Sequence, residues 1–144
     1  MNYSRRDIGL LLPALAAAAA NGQAQSDGQI LPARAYKYED LPVKVNKTSR
    51  GRAVLKGDTH SGFPIEMHLT ELDPGQAPHA PHRHVHEEIF MLREGTIDMT
   101  ISGKTTRLGP GSVAYIASNE LHGLVNSGSE AAHYFVIALG NDNT

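Results

Sequence analysis

Within the 144-residue chain, the run His82-Arg83-His84-Val85-His86-Glu87-Glu88 is followed by Gly95 and, further on, by His122-Gly123-Leu124-Val125-Asn126. Imidazole nitrogens and carboxylate oxygens are ligands for divalent transition metals. On an extended strand, side chains two residues apart share a face, so His82 and His84 can look into one interior together. Glu88 opens the next apolar run, with Glu88, Phe90 and Leu92 on one face and Ile89, Met91 and Arg93 on the other. A carboxylate on the same face as Phe and Leu is costly to bury unless it binds something, and metal coordination supplies that compensation. His122 arrives about 35 residues downstream, as a ligand on a different strand should. Three imidazoles and one carboxylate in this pattern point to a single transition-metal site.

The elements that must position these groups are short. From Arg52 onward, apolar runs alternate with turn signals and no helical periodicity stands out. Strands are expected near Ala53–Lys56, Phe63–Leu72, His82–His84, Glu88–Arg93, Thr96–Ser102, Thr105–Leu108, Ser112–Ile116, His122–Asn126 and Ala131–Leu139. Asp73-Pro74-Gly75, Arg93-Glu94-Gly95, Ser102-Gly103-Lys104 and Gly109-Pro110-Gly111 supply turns, with Pro fixing φ and Gly taking positive φ. Many short strands at this spacing suggest an all-β architecture, closed or built of two sheets. Phe90, Leu92, Met99 and Tyr115 read as core or pocket wall. Upstream, residues 25–50 are polar, with Pro32, Pro42, Tyr36 and Tyr38. They form an arm that either packs on the domain of residues 51–144 or on a second subunit, or serves as a loose leader.

Residues 1–24 read as a cleavable signal peptide. Ser4-Arg5-Arg6-Asp7-Ile8-Gly9-Leu10 is basic, and the mildly apolar, Ala-rich stretch from Ile8 to Ala20 is too short for a span of ~20 residues. The adjacent arginines resemble a twin-arginine signal with a loose tail, an ordinary secretory signal being the alternative. Cleavage fits after Ala24 or after Ala20, and either route predicts a periplasmic or secreted protein with no stable membrane anchor after cleavage. The chain has no cysteine, so an oxidising compartment poses no hazard and no disulfide supports the fold. Without the first 24 residues, 11 basic and 14 acidic side chains remain, a net charge of −3 with His neutral. That balance argues against nucleic acid and against a polybasic membrane contact.

The two histidine-bearing motifs resemble those of the cupin family, whose first motif is written G-x5-H-x-H-x3-4-E-x6-G. His82-x-His84, three residues, Glu88, six residues and Gly95 fit it, although Gly75 lies one residue too far upstream. The second motif, G-x5-P-x-G-x2-H-x3-N, aligns with Gly111, Ala117, Asn119, His122 and Asn126. Ala117 stands for the usual Pro and Asn119 for the usual Gly. Asn is the non-glycine residue best suited to the left-handed region, so the turn is expected to survive. The resemblance spans roughly residues 62–140 and implies a small jelly-roll β-barrel, a double-stranded β-helix, that often forms homodimers. It also implies one divalent metal held by His82, His84, Glu88 and His122, with open positions for water or substrate.

Of the remaining histidines, His79 and His86 read as solvated loop residues rather than ligands, with His79 able to line the barrel mouth, and His60 and His133 as surface residues. His68 shares a face with Glu66, opposite Met67 and Leu69. If that face looks inward, His68 is a catalytic candidate beside Glu88, as an acid–base group or a partner of the ligands; otherwise it lies on the surface. Three imidazoles and a carboxylate suit Mn, Fe, Co, Ni, Cu or Zn. A twin-arginine substrate is exported folded, which would allow metal loading inside the cell and favours Mn or Fe. No nucleophile elbow or phosphate loop accompanies the site. The expected function is therefore metal chemistry on a small organic molecule, of dioxygenase type. A metal-dependent lyase or isomerase is the alternative, followed by a non-catalytic metal- or small-ligand-binding protein. Where Arg83, Arg93 and Arg107 point decides whether carboxylate substrates fit.

Overall fold

The computed structural model describes residues 28–141; the expected signal peptide lies outside the described residues, as do residues 142–144. Among the described residues nine strands follow in order: β1 (Val43–Val45), β2 (Ser49–Asp58), β3 (Pro64–Leu72), β4 (Glu87–Glu94), β5 (Ile97–Ile101), β6 (Lys104–Leu108), β7 (Val113–Ile116), β8 (His122–Asn126) and β9 (Ala132–Leu139). A single turn of 3-10 helix, Tyr38–Asp40, precedes them. Every ladder is antiparallel, in a six-stranded sheet of order β1-β2-β3-β9-β4-β7 and a three-stranded sheet of order β6-β5-β8.

Alternation along the strands builds the interior. On β4, Phe90 and Leu92 point in; on β9, Ala132, Tyr134 and Val136 do so. They meet Leu72, Ile97, Met99 and Ile116 between the sheets. Leu72, Leu92, Ile97 and Ile116 are fully buried, each contributing about 1.5–3 kcal/mol relative to an exposed side chain. The Phe90 and Tyr134 rings pack tilted at 33° with centroids 4.4 Å apart. Asn126 is buried too, and its amide is fully used: Nδ2 donates to the carbonyls of Leu72 and Glu130, each at 2.9 Å, while Oδ1 accepts from Gly128 N–H at 3.0 Å. It ties the end of β8 to the end of β3 and to the turn before β9.

Two turns carry the register. Ser102 and Gly103, with φ of 47° and 81°, join β5 to β6 as a two-residue turn with both residues left-handed, the geometry that matches strand twist. Gly95, with φ of 88°, passes so close to β9 that a Cβ there would lie 2.7 Å from Ala132 Cα.

The structure corrects several expectations. His82–His84 is not a strand: it is irregular, fastened to β8 by the single bridge His82↔His122, with N–H···O distances of 2.9 and 3.0 Å. Nor do the sheets close into one continuous ladder. Residues 75–82 run beside β8, where Gly75 and Gln76 pair with Asn126 and Pro81 lies against Gly123. Pro78 and Pro81 have no N–H to contribute to a ladder, so pairing survives only at the two ends. The expected arm contributes β1 and the start of β2 to the large sheet. Tyr115 is not core; β7 turns Ala114 and Ile116 inward and leaves Tyr115 55% exposed. Among the described residues, no helix is long and apolar enough to cross a membrane.

Candidate metal centre

The irregular segment before β4 is held at two points. His82 pairs with His122, and Asn119 N–H donates to the His84 carbonyl at 2.8 Å. Asn119 does so from a left-handed conformation, φ 62°, as the sequence leads one to expect. Its own carbonyl accepts from the Arg83 guanidinium. The His82, His84 and His122 rings are thereby drawn together, with centroids 4.6–5.2 Å apart, each able to offer a nitrogen to a common ion.

The hydrogen bonds assign the tautomers. His84 Nδ1 donates to the His86 carbonyl at 2.7 Å and His122 Nδ1 donates to the Glu120 carbonyl at 2.9 Å. In neutral imidazoles this leaves both Nε2 atoms as bare acceptors, yet they lie 3.2 Å apart. Glu88 Oε2, a third acceptor, lies 3.4 Å from each of them. With both rings neutral, three lone pairs converge, and a bound metal ion or a proton shared between them satisfies the arrangement. His82 adds a buried Nδ1 with no hydrogen-bond partner. Burial, followed by the neighbouring His79, His122 and His84, pushes the His82 pKa down, with Glu88 opposing; a neutral ring is the form that binds metal. These residues fit a divalent ion. His82, His84 and His122 form one compact group and His84, His86 and Glu88 a second that shares His84; Glu88 Oε2 also reaches within 3.4 Å of His122 Nε2.

Beside this cluster lies a cavity of about 150 Å³. Glu88 and His122 border it, and His68, Thr70, Phe90, Met99, Leu124 and Tyr134 form walls. His68 thus points inward. Burial lowers its pKa, while Glu66 and Glu88 pull it back up, and its Nδ1 is 3.8 Å from Glu66 Oε1. Burial also pushes up the pKa of Tyr134, which shares a hydrogen bond with Thr70. Among the described residues no arginine lines the cavity: Arg83 is used on Asn119, Arg107 pairs with Asp98 at 2.8 and 2.9 Å, and Arg93 pairs with Glu94. A larger groove of about 400 Å³ runs between the arm and β2–β3, but it is the smaller cavity that Glu88 and His122 border.

His86 departs from the sequence reading. Its side chain is only 12% exposed, Nε2 lies 3.4 Å from Glu88 Oε1, and its ring stacks on His84 with centroids 3.7 Å apart and 4° between planes. Its sequence phase with His82 and His84 was the available signal. His79 is an exposed loop residue, although its ring meets His82 edge-on at 4.3 Å. His60 is exposed, whereas His133 is half-buried, 3.9 Å from Glu94.

A family model described as a cupin domain matches residues 68–138. Among solved structures, the chain is similar to KdgF from Halomonas sp. (17% identity, 78% of this chain and 98% of that one, TM-score 0.64). It is also similar to the polyketide cyclase RemF from Streptomyces resistomycificus (19%, 78% and 83%, TM-score 0.65) and to an RmlC-like cupin from Shewanella frigidimarina (15%, 75% and 91%, TM-score 0.63). At these identities the likeness establishes the fold. No curated protein matches.

Proposed function

On the premise that this chain carries a small domain of the cupin superfamily, we propose that it is an exported, metal-dependent enzyme acting on a small organic molecule, with dioxygenase-type oxidation as its chemistry. The observation that carries this is the meeting of His84 Nε2, His122 Nε2 and Glu88 Oε2 within 3.2–3.4 Å of one another, at the edge of a cavity with apolar and polar walls. His82, His84, His122 and Glu88 would hold the ion. A bound Fe or Mn supplies Lewis acidity and a redox partner for O₂.

The chain's own groups do the rest. Phe90, Met99 and Leu124 exclude water and accept the apolar part of a substrate, strengthening electrostatic contacts at the site. With no arginine or lysine among the described wall residues, the cavity favours an uncharged or singly ionised molecule over a polyanion. The lowered pKa of His68 keeps its ring neutral near pH 7 and ready to accept a proton. Tyr134 and Thr70 offer hydroxyls to a substrate oxygen. His68 also favours a second reading, proton-transfer chemistry of lyase, isomerase or cyclase type, in which the metal stabilises an enolate and redox activity is unnecessary.

The test is to purify the chain from the periplasmic fraction with no metal added. About one Fe or Mn per chain, shortening at residues 20–24, sedimentation as a dimer, and metal-dependent O₂ uptake with small phenols or keto acids are expected. Full activity with Zn and no O₂ uptake would move the assignment to proton transfer. Absence of bound metal would overturn both readings.

A further inference from the structure

We propose that His86 is a positioning residue of the metal centre, using its ring to fix the orientation of Glu88 and its backbone to fix that of His84. The inference rests on the cluster's being a metal site, and it concerns a histidine outside the four expected ligands. Glu88 faces two ways. Its Oε2 is 3.4 Å from both His84 Nε2 and His122 Nε2, whereas its Oε1 is 3.4 Å from His86 Nε2. A carboxylate accepts, so His86 Nε2–H is the donor. That contact occupies Oε1 and leaves Oε2 toward the imidazole cluster, which favours attachment through one oxygen over a chelating carboxylate.

The same residue acts on His84 by a separate route. The His86 carbonyl accepts the Nδ1 proton of His84 at 2.7 Å, which fixes the tautomer with Nε2 bare. The two rings also stack, at 3.7 Å with 4° between planes, which places His86 Nε2 on the Glu88 side of the cluster. A partner that orients a ligand through its other polar atom is the usual outer support of a metal site, and removing one typically weakens metal binding about 10–100-fold. Strand alternation puts His84, His86 and Glu88 in one phase, but His86 lies in the bend before β4. That bend folds its ring back over His84, beside Glu88 rather than away from it.

The experiment titrates metal-free protein with Co(II), reading affinity by calorimetry and coordination by the visible absorption spectrum. His86→Ala removes the donor but keeps the backbone carbonyl, and is expected to bind about 10–100-fold more weakly with an altered Co(II) spectrum. His86→Gln keeps an N–H donor and is expected to stay close to wild type in both readouts. In a Glu88→Ala background, His86→Ala should add little, because its chief target is gone. Melting of the metal-free variants reports whether each still folds. Wild-type affinity and spectrum in His86→Ala would overturn the proposal. So would a loss as complete as in His84→Ala, which would make His86 a ligand, or full additivity with Glu88→Ala. Failure of the wild type itself to bind Co(II) would remove the metal site and this inference with it.

Discussion

His68 is pulled in opposite directions, by burial against the charged ring and by Glu66 and Glu88 in favour of it, and burial dominates. Its folded pKa therefore lies below 6.5, the value expected for the unfolded chain. Where the unfolded state binds the proton more readily, stability rises with pH. The stability associated with a neutral His68 is thus fully present above about pH 6.5 and is lost as pH falls from there through the lowered folded value. His82, shifted in the same direction, adds to that slope. We expect metal-free protein to lose denaturation midpoint between pH 7 and 5, and His68→Gln to lose less over the same interval. Urea titrations at four pH values read this directly; parallel wild-type and variant curves would show that His68 does not titrate in this environment.

The element that presents His84 is a turn, and its chemistry can be tested through Asn119. This residue combines a positive φ with an N–H donated to the His84 carbonyl. Asn119→Gly should fold normally and bind metal like the wild type. Asn119→Val should cost about 1–2 kcal/mol, because a β-branched side chain lacks the local polar contacts that let Asn tolerate the left-handed region, and should also weaken metal binding, both measurable by thermal melts with and without Mn(II). Equal behaviour of the two variants would mean that the turn does not control His84. The adaptability of Asn119 was legible in the sequence because it depends on one residue's own backbone preference. The inward face of β4 was legible for a similar reason, since a period of two separates Phe90 and Leu92 from their neighbours. Tyr115 was misassigned because β7 is four residues long, and a shift of one residue exchanges its faces. β1 was missed because Val43-Lys44-Val45 is an exposed edge strand whose partner, Arg50–Arg52, is not apolar either. The irregular path of residues 82–86 depends on Pro78, Pro81 and a distant strand together, and no local pattern records that combination. His86 was set aside for the same reason: its closeness to Glu88 is created by a bend.

At the scale of the molecule, the cluster joins parts that have few other direct links. Glu88 is the second residue of β4 in the six-stranded sheet, His122 opens β8 in the three-stranded one, and His82 and His84 come from the irregular segment between β3 and β4. Between the sheets, cohesion comes from the apolar core, from Asn126 and from the edge contacts of residues 75–82. An ion held by His82, His84, Glu88 and His122 would therefore act as a cross-link between sheets as well as a reagent. Binding to the folded state alone stabilises it by about 2.7 kcal/mol at a metal concentration 100 times Kd. For a domain of this size that corresponds to a rise in Tm of about 10 °C or more. We expect chelation with EDTA to lower the wild-type Tm by that order and to leave His84→Ala and His122→Ala unchanged, because neither retains the full set of acceptors. Readdition of Mn(II) or Fe(II) should restore only the wild type. Identical wild-type melts in metal and in EDTA would mean that the converging imidazoles are satisfied without an ion, and the functional assignment would fail with the cross-link. If chelation lowers the two histidine variants as much as the wild type, the stabilising ion sits elsewhere in the chain. Only an effect confined to the wild type attributes both the stability and the chemistry to these four side chains.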